Sequence, residues 1–496
     1  MGECRQSTAS PTTDEVLAAA RSSLRRDAAA WLVGGCLRDE LLGLTVKDLD
    51  IVVEGSAEAF SRELADRLGG AVYASSDTFG TWRVIVGAMH VDAAPLRVAP
   101  GSQLADRLPS RLIADLLARD FTVNAMARPV AGGALVDPLG GVDDLRARRL
   151  RLCSPAALDD DPLRVLRLAR LARGLDMAPD AAALEAAARA APSLGGVSGE
   201  RLRDELSALL SITARAPALR DLAAWGALAA VLPEIDGLRD VQQNAYHHLD
   251  VFEHTLEALT YVGGVVEQLG GVEHLASPAA AGLPGVSPLV PVSWAVLLHD
   301  IGKPAARAIV DDGRVVFWYH DEIGSRMTGT VADRLRMSSR FAAFLSTLTR
   351  QHLRLGFLVR EQPLTRRALA RYRRDVDPWV FESVVVSLCD RLATRGEKTS
   401  HASIARHYRL ARSMWTTVGK TPVPKLLSGE EVMELLDLRP GPDVGAALAT
   451  LEEEIEAGDV ETAAGARAFL REWWRRREVG GPAGRRPSSS GTTPDA

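Results

Sequence analysis

A chain of 496 residues is too long for a single hydrophobic core of ordinary size, so its length predicts several domains. Its content of 47% hydrophobic and 25% charged residues is typical of a globular protein without a membrane-spanning run, and a net charge of −5 argues against nucleic-acid binding through overall positive charge. Four scattered cysteines without paired spacing argue against zinc and disulfides, which indicates a cytoplasmic protein.

Short apolar strands alternate with helices over residues 15–155, after a polar stretch over 1–14 that we expect to be flexible. The alternation predicts a mixed sheet covered by helices. The individual predictions are strands over 31–34 and 49–53, helices over 36–43 and 56–68, and strands near 71–74 and 81–93 with a turn at Gly80.

Two glycines and three aspartates in this region form the first candidate site. Gly34 and Gly35 lie between a strand and a helix, where backbone N–H groups can face a phosphate. Asp48 and Asp50 are two residues apart on a strand and therefore point to the same side, and Asp92 follows on a segment that could pair alongside. Either motif alone is more often structural, but three carboxylates beside a glycine-rich helix start are what two Mg²⁺ ions and a triphosphate require.

The chain from Asp159 onward reads as helical. Leucine and alanine dominate up to about residue 240, where we expect no strand, and histidines occur at marked positions between 245 and 400. A segment rich in glycine, alanine and proline over 277–288 predicts a loop, and the segment 439–445 predicts a break between two later helices.

Arginines are concentrated in three places despite the negative net charge. Such clusters can contact a phosphate backbone, although each one is more often the solvated face of a helix. The three clusters lie within residues 146–151, 164–173 and 366–374.

Five segments resemble, in their order, the motifs of bacterial class II tRNA nucleotidyltransferases and the related poly(A) polymerases of the DNA polymerase beta superfamily. Five motifs in order are far more specific than any one of them. The segments are GGCLRD at 34–39, DLD at 48–50, RDFTVNAMA at 119–127, VDPLGG at 136–141 and DDPLRVLRLAR at 160–170.

This resemblance implies an α+β chain, in which a polymerase-beta-like nucleotidyltransferase domain with a mixed sheet precedes all-helical neck, HD and C-terminal regions. The expected parts are a flexible N-terminus over 1–14, the catalytic domain over 15–155, a helical nucleotide- and tRNA-binding region over 156–240, an HD metal-binding domain over 241–400, a C-terminal helical region over 401–478 and a disordered tail over 479–496.

The resemblance also implies roles for single residues. Asp48, Asp50 and Asp92 would be the catalytic ligands of Mg²⁺. Asp161 and Arg164 match the end of a motif that reads the incoming base, and their spacing predicts that they share a helix face. The residues implied to bind the nucleotide are Gly34, Gly35, Arg38, Arg119, Asp120, Asp161, Arg164, Arg167 and Arg170.

Three positions depart from the family pattern. Ala118 stands where the family has the first arginine of its Arg-Arg-Asp motif, and Asp160 stands where it has a glutamate before the base-reading pair. The segment between Asp92 and Arg119 looks shorter and less polar than the flexible loop of CCA-adding members. A short loop of this kind is associated with enzymes that add only CC.

A second candidate site is formed by histidines and acids in the later helices. The order of His254, the pair His299 and Asp300, and Asp390 resembles the HD phosphohydrolase superfamily, in which side chains from facing helices hold a divalent metal. His320 and His352 fit a version with two metals, and Lys303 could contact a phosphate. The resemblance implies hydrolysis of phosphomonoesters or cyclic phosphodiesters, or a metal-holding scaffold that grips tRNA, and it leaves the metal open.

The resulting hypothesis is an enzyme that adds C, A or both to the 3′ end of tRNA without a template, from CTP and ATP and with Mg²⁺. The expected partners are tRNA, CTP and ATP and no membrane; the oligomeric state stays open. The alternatives are a poly(A) polymerase on generic RNA ends and a second-messenger enzyme that joins a synthetase to an HD hydrolase. A catalytically silent RNA-binding protein is a third alternative, which three acids in this order disfavour.

Overall fold

The computed structural model describes residues 11–24, 29–46, 48–76, 80–96, 108–283, 285–359, 364–416 and 424–480. Most of the predicted N-terminal stretch, the C-terminal tail from 481 and the middle of the segment between Asp92 and Arg119 lie outside these residues. The chain divides into two units, residues 1–237 with 334–336 and residues 238–333 with 337–496. This division lies close to the predicted boundary at 240, and the finer domain boundaries stay predictions.

A mixed sheet of six strands forms the centre of the first unit's N-terminal part, as the sequence predicts. The strand order is β3–β4–β5–β2–β1–β6; β2 and β5 run parallel, and the other neighbours are antiparallel. The strands are β1 (Ala30–Val33), β2 (Asp48–Val53), β3 (Ala71–Ser76), β4 (Thr81–Val86), β5 (Met89–Pro95) and β6 (Ala127–Pro129).

Five helices accompany this sheet, and their ends follow local sequence signals. The first begins at Thr13, inside the stretch expected to be flexible, because Thr12 and Glu15 form a reciprocal capping box. Trp31 and Val52 of the sheet pack with Leu112 and Leu116 in one buried cluster. The helices are α1 (Thr13–Ser23), α2 (Gly35–Leu41), α3 (Ala57–Leu68), α4 (Leu108–Leu117) and α5 (Gly141–Arg146).

The remainder of the first unit is helical, as predicted, apart from two very short strands. These strands pair in parallel, so the expectation of no strand after Asp159 is wrong for residues 178–179. The elements are β7 (Arg149–Leu150), α6 (Ala157–Asp160), α7 (Arg164–Gly174), β8 (Ala178–Pro179), α8 (Ala181–Ala190), α9 (Gly199–Ser211), α10 (Arg215–Ala224), α11 (Ala227–Val231) and α12 (Pro233–Asp236).

The second unit is mainly helical, and its helix Leu289–Leu298 is apolar apart from Ser293. Residues 290–298 are all buried, which explains why this segment shows no helical periodicity in its hydrophobic residues. The elements are α13 (Val251–Leu269), α14 (Leu289–Leu298), α15 (Lys303–Ala306), β9 (Arg307–Ile309), β10 (Val315–Phe317), α16 (His320–Arg334), α17 (Ser339–Gln351), α18 (Arg354–Leu358), α19 (Arg366–Val376), α20 (Val380–Ala393), α21 (His401–Met414), α22 (Gly429–Leu436), α23 (Pro442–Ala457) and α24 (Ala463–Gly480).

Two hairpins differ from the sequence-based expectations. The single strand expected over 81–93 is the antiparallel pair β4 and β5, joined at Gly87, whose φ of +60° permits the tight turn. The region expected to be all helical contains the pair β9 and β10, which turns at Asp312 and Gly313. An Asp-Gly pair between apolar residues is a hairpin signal that the helical interpretation overlooked.

The arginine cluster on α19 has partners within the protein. Arg367 pairs with Glu454 at 2.6 Å, Arg373 pairs with Glu456 at 2.7 Å, and Arg371 pairs with the buried carboxylate of Glu453 at 2.8 Å. The three glutamates belong to α23, so these arginines hold α19 against α23. The contacts favour a structural role for the cluster over contact with a phosphate backbone.

None of the helices in the described part of the chain combines the length and the apolar character that crossing a membrane requires.

Candidate functional site

The sheet brings two of the three predicted carboxylates directly together. Asp50 on β2 lies opposite Asp92 on the parallel strand β5, and Asp48 lies opposite His90 in the same register. Leu49, between the two aspartates of β2, is buried. Asp48 and Asp50 therefore share one face of the sheet, as the alternation of a strand requires.

Two of the three carboxylates have a basic side chain beside them. Arg83 on β4 donates to both oxygens of Asp92 at 2.7 and 2.6 Å, and His90 Nδ1 lies 3.2 Å from Asp48 Oδ1. Among the described residues, three candidate ligand atoms come within 4.8 Å of one another only in groups that include a histidine. Asp48, Asp50 and Asp92 do not form such a group. Asp50 and Asp92 lie opposite each other on parallel strands, and a metal site shared by all three aspartates stays a prediction.

The electrostatics of Asp50 nevertheless fit a cation. Burial raises the pKa of Asp50 to about 6; the nearby Arg119 opposes this effect, and the charges of Asp92 and Asp48 add to it. A carboxylate whose charge is disfavoured by burial and by two like charges gains from a bound divalent ion. The donor set of carboxylate oxygens is also the one that Mg²⁺ prefers.

The glycine turn lies against this carboxylate. Gly34 has a φ of +79°, and an ideal Cβ at this position would lie 3.0 Å from Asp50 Oδ2 and 3.2 Å from Nη1 of Arg119. Helix α2 begins directly afterwards, and a Cβ on Gly35 would lie 3.2 Å from Nη2 of Arg38. The missing side chains thus allow three charged groups to approach the backbone at the start of α2.

A hydrogen-bonded network connects α2 to α7. Nη1 of Arg38 donates to Asn124 Oδ1 at 2.7 Å, Asn124 Nδ2 donates to Asp120 Oδ1 at 3.0 Å, and Arg167 lies 2.8 Å from Asp120 Oδ2. Burial disfavours the charge of Asp120, but Arg167 and the bonds from Asn124 and Phe121 hold the pKa of this carboxyl below its usual value. The sequence analysis missed Asn124, although it lies in the RDFTVNAMA segment.

The buried carboxylate of Asp115 holds the guanidinium of Arg119 in place. Asp115 on α4 accepts from Nε and Nη2 of Arg119 at 3.2 and 3.0 Å. These bonds orient the guanidinium so that Nη1 faces Gly34 and Asp50. Asp115 is one turn before Arg119, a spacing at which ion pairs within a helix form, but no motif signalled it.

The predicted base-reading pair is not on one helix face. Asp161 follows α6 in an extended conformation, and α7 begins only at Arg164. Pro162 has no backbone N–H with which to continue α6, and the N–H of Arg164 donates to the carbonyl oxygen of Asp161 at 3.0 Å. Arg164 donates to the carbonyl oxygens of Ala118 and Ala157 at 2.9 and 3.1 Å.

Arg170 lies farther along α7 and pairs with Glu205 at 2.5 Å. Its assignment to the nucleotide stays a prediction, as do those of Asp161 and Arg164.

The second candidate site gathers six side chains from separate segments of the second unit. They come from α13, from the end of α14, from the start of α16, from the end of α17 and from α20. Five of the six are buried, and the sixth, Asp390, is partly buried. The residues are His254, His299, Asp300, His320, His352 and Asp390.

Backbone carbonyl oxygens orient all four imidazoles. The Nδ1 atoms of His299, His320 and His352 lie 2.7 Å from the carbonyl oxygens of the residues three positions earlier, and Nδ1 of His254 lies 3.4 Å from Ala393 O. This arrangement leaves each Nε2 free to point inward. Histidines that bind metals are typically held in this way through their second nitrogen.

The carboxylate of Asp300 lies between two groups of Nε2 atoms. Its Oδ2 is 3.1 Å from His299 and 3.6 Å from His254, and its Oδ1 is 3.5 Å from His320 and 3.6 Å from His352. Each group satisfies the spacing of a three-ligand metal site. Asp390 Oδ1 adds a further donor 3.1 Å from His254.

The hydrogen bonding of this cluster is incomplete without a cation. His299 Nε2 and both oxygens of Asp300 form no hydrogen bond of acceptable geometry among the described residues, although Lys303 Nζ lies 2.7 Å from Oδ2. Burial lowers the pKa of His352 to about 4, so this imidazole is neutral at pH 7 and able to coordinate. Buried, unbonded donors of this kind fit one or two divalent ions.

Two family descriptions match the first unit. The poly(A) polymerase head domain matches residues 30–151, and the "probable RNA and SrmB-binding site of polymerase A" matches residues 176–238.

Full-length relatives resemble the whole chain. An A-adding tRNA nucleotidyltransferase of Deinococcus radiodurans is 36% identical over 90% of this chain and 95% of its own length. A CC-adding tRNA nucleotidyltransferase of Thermus thermophilus is 34% identical over 91% of this chain and 95% of its own length.

The chain belongs to the bacterial class II tRNA nucleotidyltransferases.

Solved structures agree with this assignment at the level of the fold. A CCA-adding enzyme in complex with ATP has a TM-score of 0.58 at 19% identity over 93% of this chain and 95% of that one. The Thermotoga maritima CCA-adding enzyme complexed with tRNA has a TM-score of 0.54 at 19% identity with the same coverage. The head-domain match includes the glycine turn and the three aspartates of the enzyme.

Replacement of Gly34 by alanine is expected to lower nucleotide incorporation at least about tenfold, because the new Cβ would displace Asp50 and Arg119 and the positive φ would add strain. Initial rates on a tRNA substrate measure this effect. Gly43→Ala is the matched control, since Gly43 has a φ of +69° and an added Cβ would meet nothing within 4 Å. Equal rates in the two variants would contradict the close approach at Gly34.

Proposed function

We propose that this enzyme adds C, A or both to the 3′ end of tRNA, using CTP and ATP and releasing pyrophosphate. The observation that carries the proposal is the position of Asp50 beside Asp92 on parallel strands, directly against the glycine turn at Gly34. The A-adding and CC-adding names of the similar enzymes support the same reaction class.

In the proposed reaction, Asp48, Asp50 and Asp92 hold Mg²⁺. The bound ions would neutralise triphosphate charge and favour the ionised form of the attacking hydroxyl. Arg119, held by Asp115, supplies positive charge beside the glycine turn, and Arg38 supplies it beside Gly35 at the start of α2. These two arginines would orient the phosphates while the backbone at Gly34 allows their close approach.

Asp161 and Arg164 are the proposed readers of the base. Cytosine and adenine each present an amino donor next to a ring acceptor, so one carboxylate and one guanidinium can pair with either base. The pair therefore accounts for addition of C and of A by one site, and it does not separate an A-adding from a CC-adding enzyme. We place the reaction in the cytoplasm, in agreement with the buried free thiols of Cys36, Cys153 and Cys389.

The test is the sequence of the 3′ end produced on tRNA transcripts that lack one, two or all three terminal nucleotides. Each transcript is incubated with CTP, with ATP and with both. Extension that stops after CC, after a single A or after CCA supports the proposal and identifies the product. Long poly(A) on an unrelated RNA would favour the poly(A) polymerase alternative, and no extension of any transcript would overturn the proposal.

We further propose that the histidine site hydrolyses phosphate esters with one or two divalent metals. The observation behind this second function is the carboxylate of Asp300 between two groups of imidazole Nε2 atoms. A cavity of about 550 Å³ opens onto the cluster and is large enough for a nucleotide. His247 also lines this cavity and packs edge-on against His254.

A further inference from the structure

The carboxylate proposed to read the base is bound by an arginine of another helix. Nη2 of Arg201 on α9 lies 2.7 Å from Asp161 Oδ2, while Asp161 Oδ1 accepts the backbone N–H of Leu163 at 3.3 Å. Both oxygens therefore have one partner and retain capacity for another. The side chain of Asp161 is 28% exposed, so its free lone pairs remain accessible to a ligand.

A second ion pair fixes the helix that carries this arginine. Glu205 lies four residues after Arg201 on α9, on the same face of the helix, and accepts Nε of Arg170 on α7 at 2.5 Å. The two ion pairs have opposite polarity: α9 supplies the cation in one and the anion in the other. Arg201 therefore lies on a helix that an ion pair holds against α7, and not on a flexible loop.

The orientation of the Asp161 carboxylate decides which bases it can accept. Cytosine at C4 and adenine at C6 carry an amino group that donates to a carboxylate, whereas uracil at C4 and guanine at C6 carry a carbonyl oxygen that the carboxylate repels. A carboxylate free to rotate away loses part of this discrimination. Asp161 lies in an extended conformation between α6 and α7, where the bond from the Leu163 N–H and the ion pair with Arg201 hold its carboxylate.

We propose that Arg201 is a positioning residue that sets the selectivity of the enzyme for cytosine and adenine over uracil and guanine by orienting Asp161. The inference rests on the proposed addition of C and A. Arg201 acts through Asp161 and contacts no phosphate in this account. Loss of Arg201 should therefore change the ratio of rates between nucleotides. It should have less effect on the binding affinity that all nucleotides share through their triphosphates.

The experiment compares kcat/KM for CTP, ATP, UTP and GTP on one truncated tRNA in the wild-type enzyme, Arg201→Ala and Arg201→Lys. We expect the preference for CTP and ATP over UTP and GTP to fall about threefold to tenfold in Arg201→Ala. Arg201→Lys, which keeps a donor for Asp161, should restore part of it. A general loss of positive charge affects all four triphosphates equally and cancels in the ratio.

Arg189→Ala is the matched control. Arg189 pairs with Asp159 at 3.0 Å, only two residues before Asp161, and its side chain is about as exposed as that of Arg201. The control should keep the wild-type ratio. An unchanged ratio in Arg201→Ala, or an equal change in Arg189→Ala, would overturn the inference and leave the proposed function standing. Absence of incorporation by the wild-type enzyme would overturn the proposed function itself. Circular dichroism melting checks that the alanine variants are folded, and the lysine variant provides the ratio if Arg201→Ala is not.

Discussion

Replacement of Asp50 by asparagine is expected to reduce nucleotide incorporation by at least about a thousandfold, because one ligand of the proposed Mg²⁺ ions is lost at the centre of the site. Asp50 is the aspartate that lies both against Gly34 and opposite Asp92. Asparagine keeps the shape of the side chain and removes the charge that burial and two neighbouring carboxylates disfavour. Single-turnover incorporation of CTP and ATP into truncated tRNA measures the loss, with the Mg²⁺ concentration varied.

The same substitution separates catalysis from folding. Asp50→Asn removes a buried like charge, so we expect the melting temperature to stay the same or to rise. Glu54→Gln is the control, because Glu54 follows directly after β2 and pairs with Arg111 at 3.4 Å, away from the carboxylates. Near-normal rates in Asp50→Asn would refute its role as a metal ligand.

Replacement of Asp300 by asparagine is expected to remove most of the metal bound by the histidine site and to abolish hydrolysis of phosphate esters. Asp300 is the residue shared by both groups of imidazoles, so its loss weakens both half-sites at once. Loss of one supporting group near a metal already costs about tenfold to a hundredfold in affinity, and loss of a shared ligand should cost at least as much. Plasma mass spectrometry of the purified protein measures the metal content, and hydrolysis of bis-p-nitrophenyl phosphate with Mn²⁺, Ni²⁺ or Mg²⁺ measures the activity.

Nucleotide incorporation should persist in Asp300→Asn, because the proposed polymerising site lies in the other unit. Asp321→Asn is the matched control: Asp321 follows the proposed ligand His320 but forms an ion pair with Arg350. Retained metal in Asp300→Asn would contradict the metal site. A parallel loss of hydrolysis and incorporation would contradict the independence of the two activities.

The sequence best predicts the features that depend on residues close together along the chain. Strand alternation correctly predicts that Asp48 and Asp50 share a face, and the Thr12 to Glu15 spacing contains the signal for the first helix. The hairpins at Gly87 and at Asp312 also have local signals, which the strand and helix interpretations passed over. Local sequence patterns therefore contain signals for most of the secondary structure, including the two hairpins that were not predicted.

The sequence could not predict contacts between segments that are far apart. Arg83 is bound to Asp92 because β4 and β5 are adjacent strands, and no motif links the two residues. Asp161 is bound by Arg201, forty residues away, and the expected helix face is interrupted by Pro162. These contacts depend on how helices and strands pack, which spacing along the chain does not encode.

By itself, the sequence determined the type of chain: the order of its motifs identified the nucleotidyltransferase family and named the acids, arginines and histidines of both sites. Only the tertiary structure decided which of them meet. The parallel pairing of β2 and β5 brings Asp50 to Asp92, and the packing of five helices and loops brings four imidazoles around Asp300. The physical reason is that residue type and spacing act locally, whereas charges interact through space, and the folded chain alone sets those distances.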